Sequence, residues 1–143
     1  MWDTEEVTHR IIGMAMAIHR SMGCGYVESV YHNSMIVELT AAGIPFESKK
    51  KLDVFYKGVL VGQFEADLVI VVNKMLIIEL KAVERLLKAH ETQLVNYLTA
   101  TGIEDGLLLN FGGTSLEMKR KFKTYRPSRP QASTFQPPEN LIL

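Results

Sequence analysis

Two apolar runs of strand length stand back to back across a short polar turn, Leu68 to Val72, then Asn73-Lys74, then Met75-Leu76-Ile77-Ile78. Runs this short and this rich in branched residues predict neighbouring strands with little contact with water on either face. The second run does not stop at a turn residue but continues into Glu79-Leu80-Lys81, so two charges enter a strand expected to be buried. An unpaired buried charge costs several kcal/mol, and such a penalty persists only where partners or a metal offset it. Asp67 stands at the head of the first run. The pattern therefore predicts an acid on each of two adjacent strands, at one end of the turn-linked pair.

Helical and extended patterns flank this pair in a definite order. Val7, Ile11, Ala15, Ile18 and Met22 recur at spacings of three and four and stop at Gly23-Cys24-Gly25. Asp3 is placed to cap that helix, with Glu6 at its third position and Trp2 and Val7 as a hydrophobic staple. A second helix is expected from Val27 to Ala42, with Val27, Tyr31, Met35 and Leu39 on one face and Gly43 as its C-terminal stop. Leu52, Val54 and Tyr56 alternate before Lys57-Gly58, and Val59, Val61 and Phe64 resume after it, which predicts a hairpin. Leu86 to Ala100 returns to helical spacing, with Leu87, Leu94 and Leu98 as core contacts and Gly102 as terminator. Leu107 to Phe111 reads as a buried strand, and Leu116 to Phe122 as a further one. The order ααβββαββ predicts an α/β (α+β) domain with a central mixed β-sheet flanked by helices.

Bulk properties narrow the function classes. At 143 residues, 47% hydrophobic and 22% charged, the chain suits one compact core. Residues 1–124 are expected to form the domain, and residues 125–143, rich in proline, a flexible extension. Apolar runs fall far short of the roughly 18 to 20 residues that cross a bilayer, and the start of the chain is acidic where a secretory leader is basic, so the expected setting is cytoplasmic with no membrane partner. A single cysteine, Cys24, excludes an internal disulfide and a cysteine-built zinc cage. Zero formal net charge argues against coating nucleic acid by bulk charge. The basic run Lys119, Arg120, Lys121, Lys123, Arg126 and Arg129 reads as a solvated tail.

Oxygen ligands remain for a metal. Asp67 and Glu79 can converge from neighbouring strands on Mg²⁺ or Mn²⁺, with the main-chain carbonyl of Leu80 beside them. Lys81 lies two residues beyond Glu79 and so faces the same side of the strand, where it can orient a water and offset charge growing on a phosphate. The chemistry implied is phosphodiester hydrolysis. His90, Gln93 and Tyr97 share one side of the third helix: Gln93 suits a phosphate or a water, and Tyr97 a base or the backbone. Lys49, Lys50 and Lys51 can contact a phosphate backbone, or simply keep an edge strand from pairing. Plain alternatives stand beside each: Glu28 as a helix-start acid, Glu79 and Lys81 as a buried ion pair, Tyr97 as core, His90 as solvated, and Cys24 without a neighbouring base.

The segment Gly25-Tyr26-Val27-Glu28-Ser29-Val30-Tyr31 resembles the signature of the bacterial GxxExxY family, which is grouped with the PD-(D/E)xK nucleases. Further matching stretches are His19-Arg20, Ala66-Asp67-Leu68, Ile78-Glu79-Leu80-Lys81-Ala82-Val83 and His90-Glu91-Thr92-Gln93-Leu94-Val95-Asn96-Tyr97-Leu98, so the likeness runs from about Ile11 to Phe122. The resemblance implies a restriction-endonuclease-like core, a helix acid at Glu28, metal ligands at Asp67 and Glu79, a catalytic lysine at Lys81, and a Gln-x-x-x-Tyr feature at Gln93 and Tyr97. Ala66 stands where the family's proline is usual, Cys24 where it often has proline, and Glu65 adds an unexpected carboxylate. The expectation is a divalent-metal-dependent nuclease with Glu28, Asp67, Glu79, Lys81 and Gln93 in catalysis, Asp67, Glu79, Leu80 and Glu28 around the metal, and Tyr97, Lys51 and His90 toward DNA or RNA. A catalytically silent module that binds nucleic acid or a protein partner is the competing expectation. A homodimer is compatible with either.

Overall fold

A computed structural model of the chain describes residues 3–124, and the architecture given below is that of those residues. Its elements are α1 (Thr4–Met22), α2 (Glu28–Ala42), β1 (Phe46–Tyr56), β2 (Val59–Val71), β3 (Met75–Lys81), α3 (Lys88–Thr101), β4 (Asp105–Asn110) and β5 (Glu117–Phe122). The order is ααβββαββ, as the periodicities predict. Trp2 and the proline-rich residues 125–143 lie outside the described residues.

The strands form one mixed sheet in sequence order, antiparallel throughout except that β3 and β4 run parallel. A parallel pair needs a crossover, and α3 supplies it. One core lies between the sheet and α1 and α2, where Ile11, Ile18, Tyr31, Met35 and Leu39 meet Leu68, Ile70, Ile78, Leu80 and Phe111. The other lies under α3, where Leu94 and Leu98 meet Phe64, Ala66, Val69, Ile77 and Leu108. Burial on both faces explains the uninterrupted apolar runs of the inner strands.

Several local expectations are corrected. Asp3 occupies the N-cap of α1, but its side chain makes no capping bond. Val27 is the N-cap of α2 and is exposed, so it does not belong to the buried stripe. Leu87 is likewise the exposed N-cap of α3 and not a core contact. At the helix start Leu86 N–H donates to Glu117 Oε1, and Leu87 N–H donates to His90 Nδ1, which caps the helix from its third position. β1 begins at Phe46, so Lys49, Lys50 and Lys51 sit inside the edge strand. Two basic residues of the expected solvated run are engaged in β5, since Arg120 makes a forked pair with Glu5 and Lys121 lies 2.6 Å from Glu91.

One irregularity sets up the site. Phe64 and Ala66 of β2 face the α3 core, yet Leu68 faces the α1–α2 core, although residues two apart in a strand normally share a face. β1 does the same, with Leu52 and Val54 toward α3 and Phe46 toward the other side. The inward face changes at Lys49 and Asp67, which are absent from the ladder between Ser48↔Leu68 and Lys50↔Ala66; Lys49 there adopts φ 52°.

Candidate metal centre

The β2–β3 ladder runs from Val71↔Met75 to Leu68↔Ile78 and ends there. The next pair in that register is Asp67 and Glu79, so the two acids stand opposite each other at the first step beyond the ladder, where the strands part. Asp67 fills part of the gap, because its Oδ2 accepts the Leu80 N–H at 2.7 Å in place of a β2 carbonyl. In an extended strand the N–H and C=O of one residue point the same way, so the Leu80 carbonyl also faces this fork.

Glu79 is 9% exposed, and its Oε1 is buried with no hydrogen-bond partner among the described residues. Burial, reinforced by the Asp67 charge, pushes its carboxyl from the ordinary 4.5 up to about 8. Lys81 opposes that shift through its charge, but neither Glu79 nor Asp67 forms an ion pair with it among the described residues. The buried Glu79–Lys81 pair is therefore not what holds these charges. Glu79 and Lys81 share the face of Ile77, toward α3. There Tyr97 stacks on Phe64 with ring centroids 3.6 Å apart, and burial together with the Glu79 charge raises its phenol pKa.

Glu28 is the first residue of α2. Its side chain is largely open to solvent, yet partial desolvation and then the Asp67 charge raise its pKa, while Lys81, His32 and Lys49 act in the opposite sense. Glu28 therefore belongs to the same electrostatic group as Asp67. Tyr31 explains its placement: the ring stacks on Phe111 with centroids 4.7 Å apart, its hydroxyl donates to the Gly23 carbonyl at 2.6 Å, and it accepts Tyr26 N–H. The turn before Glu28 is thereby tied to the sheet, and Gly25, at φ 110°, takes a conformation that favours glycine.

Downstream of Lys81 the chain is clamped by Asn110. Its Oδ1 accepts Val83 N–H and Gly112 N–H, and its Nδ2 donates to Val83 O and Glu117 Oε1. Gly112 completes the clamp, since a Cβ there would lie 2.2 Å from the Val83 carbonyl oxygen.

The remaining sequence-predicted residues are placed differently. Gln93 is exposed on α3, one turn before Tyr97. His90 serves as the acceptor that caps α3. Lys51 is exposed opposite Glu65 on the edge hairpin, and Lys50 pairs with Glu47 at 2.7 Å. Lys49 is the lysine of that run whose charge reaches Glu28. Sequence reasoning missed that Lys49 is the lysine of the run whose charge acts on Glu28, and missed His32 and Asn110. The available signals were the four-residue spacing of His32 from Glu28, and one amide inside the apolar run from Leu107 to Phe111. Among the described residues no group of three His, Cys, Asp or Glu side chains is gathered as a metal cage.

A mixed sheet with helices on both faces, forked between two acid-bearing strands, is the restriction-endonuclease-like fold. The model of the PD-(D/E)XK nuclease superfamily matches residues 5–122, and the chain belongs to that superfamily. The solved structure titled "Crystal structure of SSO0001" aligns with TM-score 0.52 at 19% identity, covering 84% of this chain and 62% of that one. The likeness at that identity is one of fold, and this chain spans less than two thirds of the other's length. No curated protein matches the chain. No helix among the described residues is long and apolar enough to cross a membrane.

Proposed function

We propose that the fork is the centre of a divalent-metal-dependent nuclease that hydrolyses phosphodiester bonds of nucleic acid, that residues 1–124 are the nuclease domain with 125–143 as an appended segment, and that within its superfamily the chain groups with the GxxExxY proteins. The observation that carries this reading is the Asp67–Glu79 pair: Glu79 Oε1 is buried with no donor among the described residues, and burial, with Asp67 beside it, keeps the Glu79 carboxyl protonated up to about pH 8. Two acids so close that one of them keeps its proton to about pH 8, beside a main-chain carbonyl that faces the same fork, fit a hard cation such as Mg²⁺ or Mn²⁺, which takes oxygen ligands and keeps several waters.

Asp67, Glu79 and the Leu80 carbonyl would hold the ion, with Glu28 on the α2 side. When bound, the ion supplies Lewis acidity and makes a water a better nucleophile. The chain's own residues do the rest. Glu79 releases its proton when it takes up a cation, so binding is coupled to pH. Lys81, on the same face, holds the attacking water or a phosphate oxygen by charge-assisted hydrogen bonds. Lys49 offsets phosphate charge on the α2 side, and Tyr97 and Gln93 offer a hydroxyl and an amide to the backbone of the substrate.

One observation favours the silent-module reading instead: among the described residues no three His, Cys, Asp or Glu side chains are gathered closely enough to hold a metal, with Glu28 standing near Asp67 but apart from that fork. Cleavage assays on single-stranded, duplex and structured DNA and RNA separate the two. The nuclease reading expects cutting in Mg²⁺ or Mn²⁺ that falls more than about 100-fold in Asp67→Ala. No cutting by the parent, or cutting that survives Asp67→Ala, rejects it; nucleic-acid binding insensitive to both chelator and Asp67→Ala supports the silent module.

A further inference from the structure

We infer that His32 is a positioning residue for this centre: its imidazole bridges α2 to the main chain of Asp67 and sets where the Asp67 carboxylate stands. His32 follows Glu28 by one helical turn, so both project from the same side of α2. The residue is 6% exposed, and its Nε2 lies 3.1 Å from the Asp67 carbonyl and 3.1 Å from Ser48 Oγ. A carbonyl can only accept, so Nε2 bears the hydrogen and donates. Its Nδ1 lies 3.4 Å from Asn33 Oδ1.

The carbonyl it engages sits at the break in the β1–β2 ladder. Ser48↔Leu68 and Lys50↔Ala66 pair, but Lys49 and Asp67 do not, and Lys49 is in the left-handed region. Strand pairing therefore does not fix the Asp67 peptide; the imidazole does so from the helix side. Rotation of that peptide would carry the carboxylate away from Leu80 N–H, its 2.7 Å donor, and away from Glu79. A histidine that merely filled the core would leave that bond indifferent to the replacement chosen.

This inference rests on the metal-centre reading, and the test separates the two. The backbone amide resonance of Leu80 reports the bond to Asp67 without any metal, and calorimetric titration with Mn²⁺ reports the centre without substrate. His32→Leu should shift the Leu80 amide upfield and weaken Mn²⁺ binding at least about 10-fold, the usual effect of losing a group that orients a ligand. His32→Gln, whose terminal amide reaches the same carbonyl, should restore both. If His32→Leu does not fold, His32→Asn, polar but too short, should show the same two losses. An unmoved Leu80 amide in the Leu or Asn variant, or a Gln variant no better than they are, overturns the inference. Absence of Mn²⁺ binding by the parent rejects the metal-centre reading, while the Leu80 amide still decides the role of His32.

Discussion

Asp67 accepts the Leu80 N–H on Oδ2 at 2.7 Å, so one strand's side chain takes the place of the ladder bond that the parting strands no longer make. That single bond pins one carboxylate oxygen to the backbone of β3. It places the Asp67 charge against Glu79, the adjacent residue of β3, where burial first and then that charge raise the Glu79 pKa.

Glu79 should make the metal-free protein lose stability progressively as pH rises from the ordinary carboxyl value of 4.5 to about 8, with no further loss above it. With its carboxyl raised from 4.5 to about 8, the folded protein keeps a proton that the unfolded chain has released. The stabilising contribution is therefore fully present below the unfolded value and is lost as pH rises through the folded one. Urea unfolding in chelator should give Glu79→Gln close to the parent at pH 5 and more stable by on the order of 3 kcal/mol at pH 9. Mn²⁺ should recover the parent at pH 9 and not the variant. A parent whose stability is flat across that range contradicts the prediction.

Tyr31→Phe keeps the stack on Phe111 but removes the hydroxyl that joins the Gly23 carbonyl to Tyr26 N–H. The expected loss is about 1–2 kcal/mol of stability. Faster hydrogen exchange of the Tyr26 amide should accompany it; exchange as slow as in the parent would mean that the hydroxyl does not hold the turn before Glu28.

Asn110→Ala strips four bonds from a fully buried position and leaves Val83 N–H and Gly112 N–H without that acceptor. Unsatisfied buried donors make this costly, about 2–4 kcal/mol by chemical denaturation. Removal of Arg120, whose pair with Glu5 is on the surface, should cost less than about 1 kcal/mol. Equal costs for the two variants would contradict the assignment of the clamp.

Gly112→Ala should be among the most damaging small substitutions, because the added methyl would lie 2.2 Å from the Val83 oxygen and 2.5 Å from its nitrogen. Backbone cannot yield as a flexible side chain does, so a loss of about 3 kcal/mol or more is expected. Gly13→Ala, in α1 with nothing within 4 Å of the new methyl, is the control and should be neutral or stabilising.

Element order was legible in the sequence because periodicity reports burial: Ile11, Ile18, Met35 and Leu39 repeat as helix faces, and the runs around Ile70 and Ile77 repeat as inner strands, whereas the division of the expected single core into one cluster on each face of the sheet was not. That Asp67 and Glu79 stand on neighbouring strands at the same end of the turn-linked pair was legible too, since a short turn between two strands fixes their register. Helix starts were less so. Val27 and Leu87 are apolar and periodic, yet each is an exposed N-cap, in extended backbone where its side chain leaves the helix face.

By itself, then, the sequence determined which residues are apolar at which spacing, and hence the ααβββαββ order and an acid on each of two neighbouring strands. Only the tertiary structure decided that the strands part beyond Leu68↔Ile78, that the face of β1 and β2 changes at Lys49 and Asp67, and that His32 and Asn110 anchor the chain on either side of the fork. The physical reason is range. Periodicity is a property of neighbours along the chain, whereas a raised carboxyl pKa or a side chain replacing a ladder bond depends on groups brought together from 13 residues away for Asp67 and Leu80, and 35 for His32 and Asp67.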